Sequence, residues 1–505
     1  MEKLKNFFAK FEKYLIWPIL ILGAVLRIRK INDRDFWYDE AFTGVTVKAN
    51  FHDMIAMTIK DVHPPLYYIF VKYFSFFFGY SVFGIRLFSA VFGVLGVWAI
   101  YLFAKELFGR RAATFAALIA AISPFAIQYS QEARMYAMFV FLITIASYFF
   151  ARALKTEKTK YYLLWGAVLG AACLTHYMGI VFSAVFFIAL PAWKIVKEKI
   201  YEKKASQISL WEILPGAKFF AGLLAAGAVF SFWTVRFYNH VTMKGTNLSW
   251  VRPASLGDIF YNIQMFIFGT PLGEMSAGMP NPNEFFGVEK NTAVTVLIVF
   301  LVGITVFLFK KRKDKENLAI VLVFSVGFML IVYIMSLLEQ RYFVARYLMP
   351  AAYFTFVYLG VWLASVRLRT AVYAILIYVT LMFTFQPYYY SQGWNELAKD
   401  LPKYQNNNFY ILNSFDYVIG KYYLGADHLT LFNIDWPQYN PDYWAAIGSS
   451  LKRTENLSDL RNDKNGLIIF NGQPEFADRD DKSFNPRKFV LVAQYKNIAL
   501  YRFAN

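Results

Sequence analysis

Runs of roughly 16 to 25 mainly apolar residues recur along most of the chain, separated by short basic connections. Crossing a bilayer takes about 20 helical residues. Hydrocarbon offers an open backbone no hydrogen-bond partner, so repeated runs of this length are expected to fold as a bundle of spanning helices. Crossings are expected near 14–30, 86–108, 112–130, 135–154, 161–175, 178–193, 211–235, 291–309, 318–337, 347–365 and 370–387. Bulk composition fits this: 58% of residues are apolar and 17% charged, where a soluble domain carries about 45–50% and about 25%. The one cysteine, Cys173, lies inside an apolar run, which excludes a disulfide scaffold and reads as packing. The first run leads into Arg27, Arg29 and Lys30 with no small-residue cleavage signal, so it reads as an uncleaved anchor.

Lys and Arg outnumber Asp and Glu by 52 to 34, a formal excess of +18. Such an excess can mark nucleic-acid binding, but here it is spread through loops between apolar runs and no nucleic-acid reading motif accompanies it. It reads instead as a topology signal, because cytoplasmic loops collect Lys and Arg. Lys3, Lys5, Lys10 and Lys13, Arg110 and Arg111, Lys155, Lys158 and Lys160, Lys194 through Lys204, residues 310–315, and Arg367 and Arg369 all fall on one side of the expected crossings. Only the Arg27–Lys30 cluster lands opposite. The expectation is an integral plasma (inner) membrane protein, multi-pass, with a cytoplasmic amino terminus and residues 388–505 outside. The parity hinges on 65–84, which is apolar enough to cross; if it did, every later basic loop would invert. It is therefore read as an interfacial or re-entrant helix, with Tyr67, Tyr68, Lys72, Tyr73 and Tyr80 at headgroup depth. An ordinary crossing is the alternative.

Two longer segments, 31–64 and 236–290, are expected on the outer side and belong to a transmembrane domain spanning 1–387. The tail, 388–505, changes character. FYILN (409–413), LTLFNI (429–434), GLIIFN (466–471), KFVLVAQY (488–495) and IALYRF (498–503) read as strands, the last two joined by a tight Lys496-Asn497 hairpin. WNELAKDLPKY (394–404) and YWAAIGSSLKR (443–453) read as helices. The fold class expected is thus an α-helical polytopic membrane protein, with about 11 crossings, an interfacial helix at 65–84 and a C-terminal soluble α/β domain.

Charged residues near hydrocarbon are costly and point to function. Trp37-Tyr38-Asp39-Glu40 follows the first helix; adjacent acids on a helix point about 100° apart, so one can face a pocket while the other braces the loop. An acid pair stabilising a helix start is the plainer reading. In Asp61-Val62-His63-Pro64-Pro65 the prolines forbid helix just before them, and Asp61 and His63 share a face of an extended chain. Proline in the first turn of a helix is the alternative. Ser130-Gln131-Glu132-Ala133-Arg134-Met135-Tyr136 and Arg341-Tyr342 through Arg346-Tyr347 each carry a permanent cation at an expected outer helix end, as phosphate ligands or as interfacial anchors. Thr175-His176-Tyr177 forms a smaller outer turn, where a lone His is also a common structural hydrogen-bonder. Acids and cations on one outer face suit a lipid-linked phosphate donor. A transporter or flippase of lipid-linked glycans also concentrates such residues, though typically at the bilayer midplane.

Taken in order, Asp39-Glu40, DVHPPLYY (61–68), SQEARMY (130–136), THY (175–177) and ARYLMP (345–350) resemble the GT-C fold membrane glycosyltransferases. More narrowly, they resemble the protein O-mannosyltransferase and aminoarabinose transferase superfamily in its bacterial and archaeal branch, over roughly residues 10–390. His63 stands where the aminoarabinose transferases typically carry Lys. The resemblance implies a polyprenyl-phosphate sugar donor, a hydroxyl acceptor and inverting transfer on the extracytoplasmic face. Asp39 and Glu40 are then the catalytic acids, with Asp39 as base. Arg134, Arg346, His63, Tyr136 and Tyr347 are the donor-phosphate residues, and Asp61, His176, Tyr177 and Arg341 line the pocket. Glu40, Asp61 and His63 are candidate ligands of a divalent metal, the one cofactor this reading admits.

Overall fold

A computed structural model describes residues 12–61, 63–198, 210–242, 254–269, 290–338, 342–384, 391–412, 414–427, 429–432, 452–454, 462–471 and 489–503. The chain divides into two compact units: residues 1–29 with 89–388, and residues 30–88 with 389–505. The tail clusters with 30–88, a segment that the sequence reading places in the domain spanning 1–387. Polar side chains of the first outer segment make this union, as described below.

In the first unit, every segment expected to cross is occupied by a helix. Among the described residues, six helices are long and apolar enough to span: Val82–Phe108, Tyr136–Thr156, Met178–Lys197, Ala217–Asn239, Lys315–Leu337 and Ala345–Ser365. Arg110–Ile122 and Pro124–Ser130 make a seventh if counted together; they meet at 60° and are not the straight crossing expected over 112–130. Pro124 explains the break, since it lacks the N–H that would bond the carbonyl one turn back. Side chains elsewhere pack closely enough that two helix backbones nearly touch. A Cβ on Gly166 would lie 1.7 Å from the Gly222 carbonyl oxygen, so only glycine allows Thr159–Cys173 and Ala217–Phe230 to cross there. Of the expected outer segment 236–290, helices Thr234–Thr242 and Leu256–Phe268 are described, and 243–253 and 270–289 lie outside the described residues.

In the second unit, the segment at 65–84 is a separate helix, Leu66–Phe78, of 13 residues. At 1.5 Å per residue it is about 20 Å long, short of the roughly 30 Å of hydrocarbon. It ends at Gly79, whose φ of +86° turns the chain into Val82–Phe108. Phe70, Tyr73, Phe76, Phe77 and Phe78 are exposed, while Tyr67 and Tyr68 are fully buried. The tail builds a six-stranded sheet in the order β3-β2-β1-β4-β6-β5, where β1 is Asn408–Ile411, β2 Leu429–Phe432, β3 Lys452–Thr454, β4 Gly466–Asn471, β5 Phe489–Tyr495 and β6 Ile498–Phe503. The first four strands are parallel and β6 and β5 antiparallel. Tyr495 pairs with Ile498 across a two-residue turn in which Lys496 takes φ +51°. The helix expected over 443–453 is corrected at its end: Lys452–Thr454 pairs with β2 as a strand, and 443–451 lie outside the described residues. A helix not anticipated, Ser414–Leu424, carries the connection from β1 to β2.

Candidate active site

The acid pair of the second unit is split by its helix. Tyr38–Lys48 starts just before Asp39 and Glu40, placing both acids in the first turn, where a helix favours negative charge. Glu40 points into the packing and is fully buried. Its two oxygens take Nε and Nη2 of Arg86 at 2.8 and 2.6 Å. The same guanidinium donates to the carbonyls of Ile31, Arg34 and Asp35 at 2.9, 2.8 and 3.0 Å. These bonds occupy all five of its N–H groups, and the Phe36 ring lies 5.0 Å away. Glu40 therefore braces the loop, and Asp39 is the half-buried member of the pair.

Downstream in this unit, His63 Nδ1 lies 3.3 Å from Asp61 Oδ2, and the buried Tyr68 hydroxyl donates to the same oxygen at 2.9 Å. Pro65 leads into Leu66–Phe78, so the proline pair sets the start of the helix that supplies Tyr68. Lys72, one turn on, donates to the carbonyls of Val47 (3.2 Å) and Ala49 at the end of the acid helix. The proposed metal set does not fit this geometry. Glu40 is consumed by Arg86, and among the described residues no group of three or more His, Cys, Asp or Glu side chains is arranged to hold a metal ion.

In the first unit, the loop 131–135 leaves the broken helix with Gln131, Glu132 and Arg134 all buried. It is pinned from several sides. The Gln131 amide donates to the carbonyls of Leu26, Arg27 and Arg29 at 3.3, 3.1 and 2.7 Å, and Ser89 Oγ donates to the Arg134 carbonyl at 3.2 Å. Arg27, fully buried, donates to Ser130 Oγ at 3.1 Å, to the Gly23 carbonyl at 3.1 Å, and to the Ala120 and Ala121 carbonyls at 3.0 Å each. Those last two carbonyls lie at the proline break. The ring of Tyr136 lies 6.1 Å from that of His176, which lies 4.9 Å from Tyr347. His176 Nδ1 accepts the Met178 N–H at 3.1 Å, so the neutral ring carries its proton on Nε2. Arg346 lies 5.8 Å from the Tyr347 ring centre in the short turn Ala345–Leu348. The structure thus brings Tyr136, His176, Tyr347 and Arg346 together. Tyr177 is instead engaged by Trp233 Nε1 at 3.0 Å, and Arg341 lies outside the described residues.

Residues 62–217 match the family described as dolichyl-phosphate-mannose-protein mannosyltransferase. Across nearly the whole chain, the structure is similar to ArnT from Cupriavidus metallidurans bound to undecaprenyl phosphate. The TM-score is 0.61 at 13% identity, with 96% of this chain and 97% of that chain covered. The same protein in its apo state gives 0.62 at 13% identity over the same shares. The chain shares the GT-C fold of that protein. The Archaeoglobus fulgidus oligosaccharyltransferase in the apo form is less similar, with a TM-score of 0.48 at 14% identity over 91% of this chain and 70% of that one. No curated protein sequence matches.

Within this GT-C chain, two residues that hold the motifs in place were missed in sequence. In the sequence Arg86 opens an expected crossing (86–108), and Arg27 belongs to the Arg27–Lys30 cluster at the outer end of the first (14–30). The signal was there: Arg86 is a lone cation among apolar residues (VFGIRLF), and Arg27 is the member of its cluster that follows the apolar run directly (GAVLRI); a cation so placed needs internal partners. Asp35 stands outside the motifs read from the sequence.

Proposed function

We propose that this protein transfers a sugar from a polyprenyl-phosphate donor to a hydroxyl acceptor at the extracytoplasmic membrane face, with inversion at the anomeric carbon. The observation that carries the reading is the division of the acid pair. Arg86 holds both oxygens of the buried Glu40, and the neighbouring Asp39, half-buried, is the acid this reading makes the base. The GT-C fold supports it, as does the likeness to a structure that holds undecaprenyl phosphate.

In the reaction, Asp39 removes the acceptor's hydroxyl proton as the oxygen bonds to C1 of the sugar. The bond from C1 to the phosphate oxygen breaks, and its electron pair leaves with the lipid monophosphate. Near hydrocarbon that growing charge needs fixed cations. Arg134 and Arg346 fill this role, since a guanidinium can meet phosphate with two parallel hydrogen bonds. Tyr136 and Tyr347 shape the phosphate side, with His176 in their aromatic cluster. His63, held by Asp61, is a further donor toward the phosphate, and Asp61 aims it.

The test is incubation of purified protein with a labelled polyprenyl-phosphate sugar, scored for transfer to hydroxyl acceptors. Asp39→Asn is expected to keep the fold and lower turnover by about 100-fold or more, the scale of a lost general base. Turnover near wild type excludes Asp39. Arg134→Ala is expected to raise the KM for donor more than for acceptor; a fall in membrane yield alone makes it an anchor. Passage of unaltered lipid across vesicles without transfer assigns the chain to the flippases.

A further inference from the structure

The second unit joins the tail to the loop that carries the acid pair, and the joints lie along the whole of that loop and its helix. Asp35 is the first. One of its carboxylate oxygens accepts from Ser391 Oγ, Gly393 N and Trp394 N at 3.0, 2.7 and 3.1 Å, and the other accepts from Asn395 N at 3.1 Å. The three N–H groups open Trp394–Asp400, where they have no partner within the helix and an anion is favoured. The same residue's carbonyl is held by Arg86, the partner of Glu40. One residue on, the Phe36 N–H donates to the Tyr423 hydroxyl at 2.9 Å.

Helix Ser414–Leu424 then follows the acid helix. The Tyr38 ring meets Phe415 at 4.7 Å, and Lys48 Nζ donates to the Tyr422 carbonyl at 3.3 Å while lying 3.8 Å from its ring centre. Between them Gly44 faces the Tyr422 ring, where an added Cβ would fall 2.5 Å from Cδ2. The start, middle and end of Tyr38–Lys48 each meet the tail.

We infer that the tail is a clamp on the acid-bearing helix, with Asp35, Tyr422 and Tyr423 as positioning residues that fix the direction of Asp39. This rests on the reading of Asp39 as the base and gives the tail a role in catalysis. A base displaced by about 1 Å can lose about 100-fold in rate with little change in binding.

Two readouts on the full-length protein test it. Gly44→Ala drives a methyl group between the two helices, and Asp35→Asn removes one of the two carboxylate oxygens without changing size. Each is expected to lower kcat by about 10- to 100-fold while donor KM stays within about threefold. Each is also expected to speed amide hydrogen exchange in 38–48. Asp463→Ala is the control. It removes bonds to Asn408, Tyr410 and Asn465 inside the tail and touches nothing in 30–48, so both readouts are expected to stay at wild-type values. Wild-type kcat in both variants, a rise in KM alone, or an equal loss in Asp463→Ala overturns the clamp. If Gly44→Ala fails to fold, Asp35→Asn alone decides. Absence of transfer by the wild type overturns the transferase reading instead. The exchange rates still judge the clamp in that case, which fails if exchange in 38–48 is unchanged.

Discussion

Arg27 and Arg86 are both fully buried, one in each unit, and they spend their donors differently. Arg86 faces a carboxylate, Glu40, and fills its remaining donors with three carbonyls from residues 31, 34 and 35. Arg27 has no acid among its described hydrogen bonds: it meets a hydroxyl and three backbone carbonyls, two of them at a proline break. The first arrangement neutralises a charge and closes a loop around it. The second uses a cation to satisfy a helix that cannot satisfy itself. Buried arginine is thus a repair for two problems, a stranded acid and a stranded carbonyl, and the two repairs should fail in different ways.

The largest effect is expected at Arg86. Arg86→Met leaves Glu40 buried and unpaired, which costs about 3–5 kcal/mol, measured as thermal or chemical unfolding in detergent. Adding Glu40→Leu should recover part of that loss, because no charge is stranded any longer, while the carbonyls of 31, 34 and 35 stay unmet. A double variant no better than the single one breaks the comparison, since the acid would then not be what Arg86 is there to hold.

How far such sites can be read from sequence follows from the range of the forces involved. The helices of the first unit were legible because hydrophobic run length is a local property. Five strands were legible by their β-branched and aromatic runs, and the Lys496-Asn497 turn by its spacing; Lys452–Thr454, which reads as the end of a helix, was not. Helix Ser414–Leu424 was legible too, with Phe415, Val418, Ile419 and Tyr422 at i, i+3, i+4 and i+7, but its tyrosines draw the eye toward a strand. The motif residues were legible as types. Their partners were not: Arg86 lies 46 positions from Glu40, Asp35 360 from Asn395 and Arg27 103 from Ser130. Those separations are closed by packing, which no local pattern encodes. The metal set failed for the same reason. Glu40, Asp61 and His63 look alike as ligands until Arg86 is known to hold one of them.

At Arg27 the expected loss is smaller, because each partner is neutral. Arg27→Met should cost about 2–3 kcal/mol, the scale of buried carbonyls left without donors, and no partner substitution can restore it, since a backbone oxygen cannot be mutated away. The contrast with Arg86 is sharpest in that respect. Ser130→Ala should cost least, about 1 kcal/mol, for the bond it accepts from Arg27 and the one it donates to the Ala126 carbonyl of its own helix. Added to Arg27→Met it should cost less than it does alone, because the bond from Arg27 is already gone and only the one to the Ala126 carbonyl remains to lose. Gly93 marks how tightly this corner is filled: a Cβ there would lie 2.2 Å from Ser130 Oγ and 2.7 Å from Arg27 Nε. Full additivity of the two variants would mean that the hydroxyl serves the loop toward Arg134 independently of Arg27. The cation would then repair the proline break alone and have no hold on the loop that follows it.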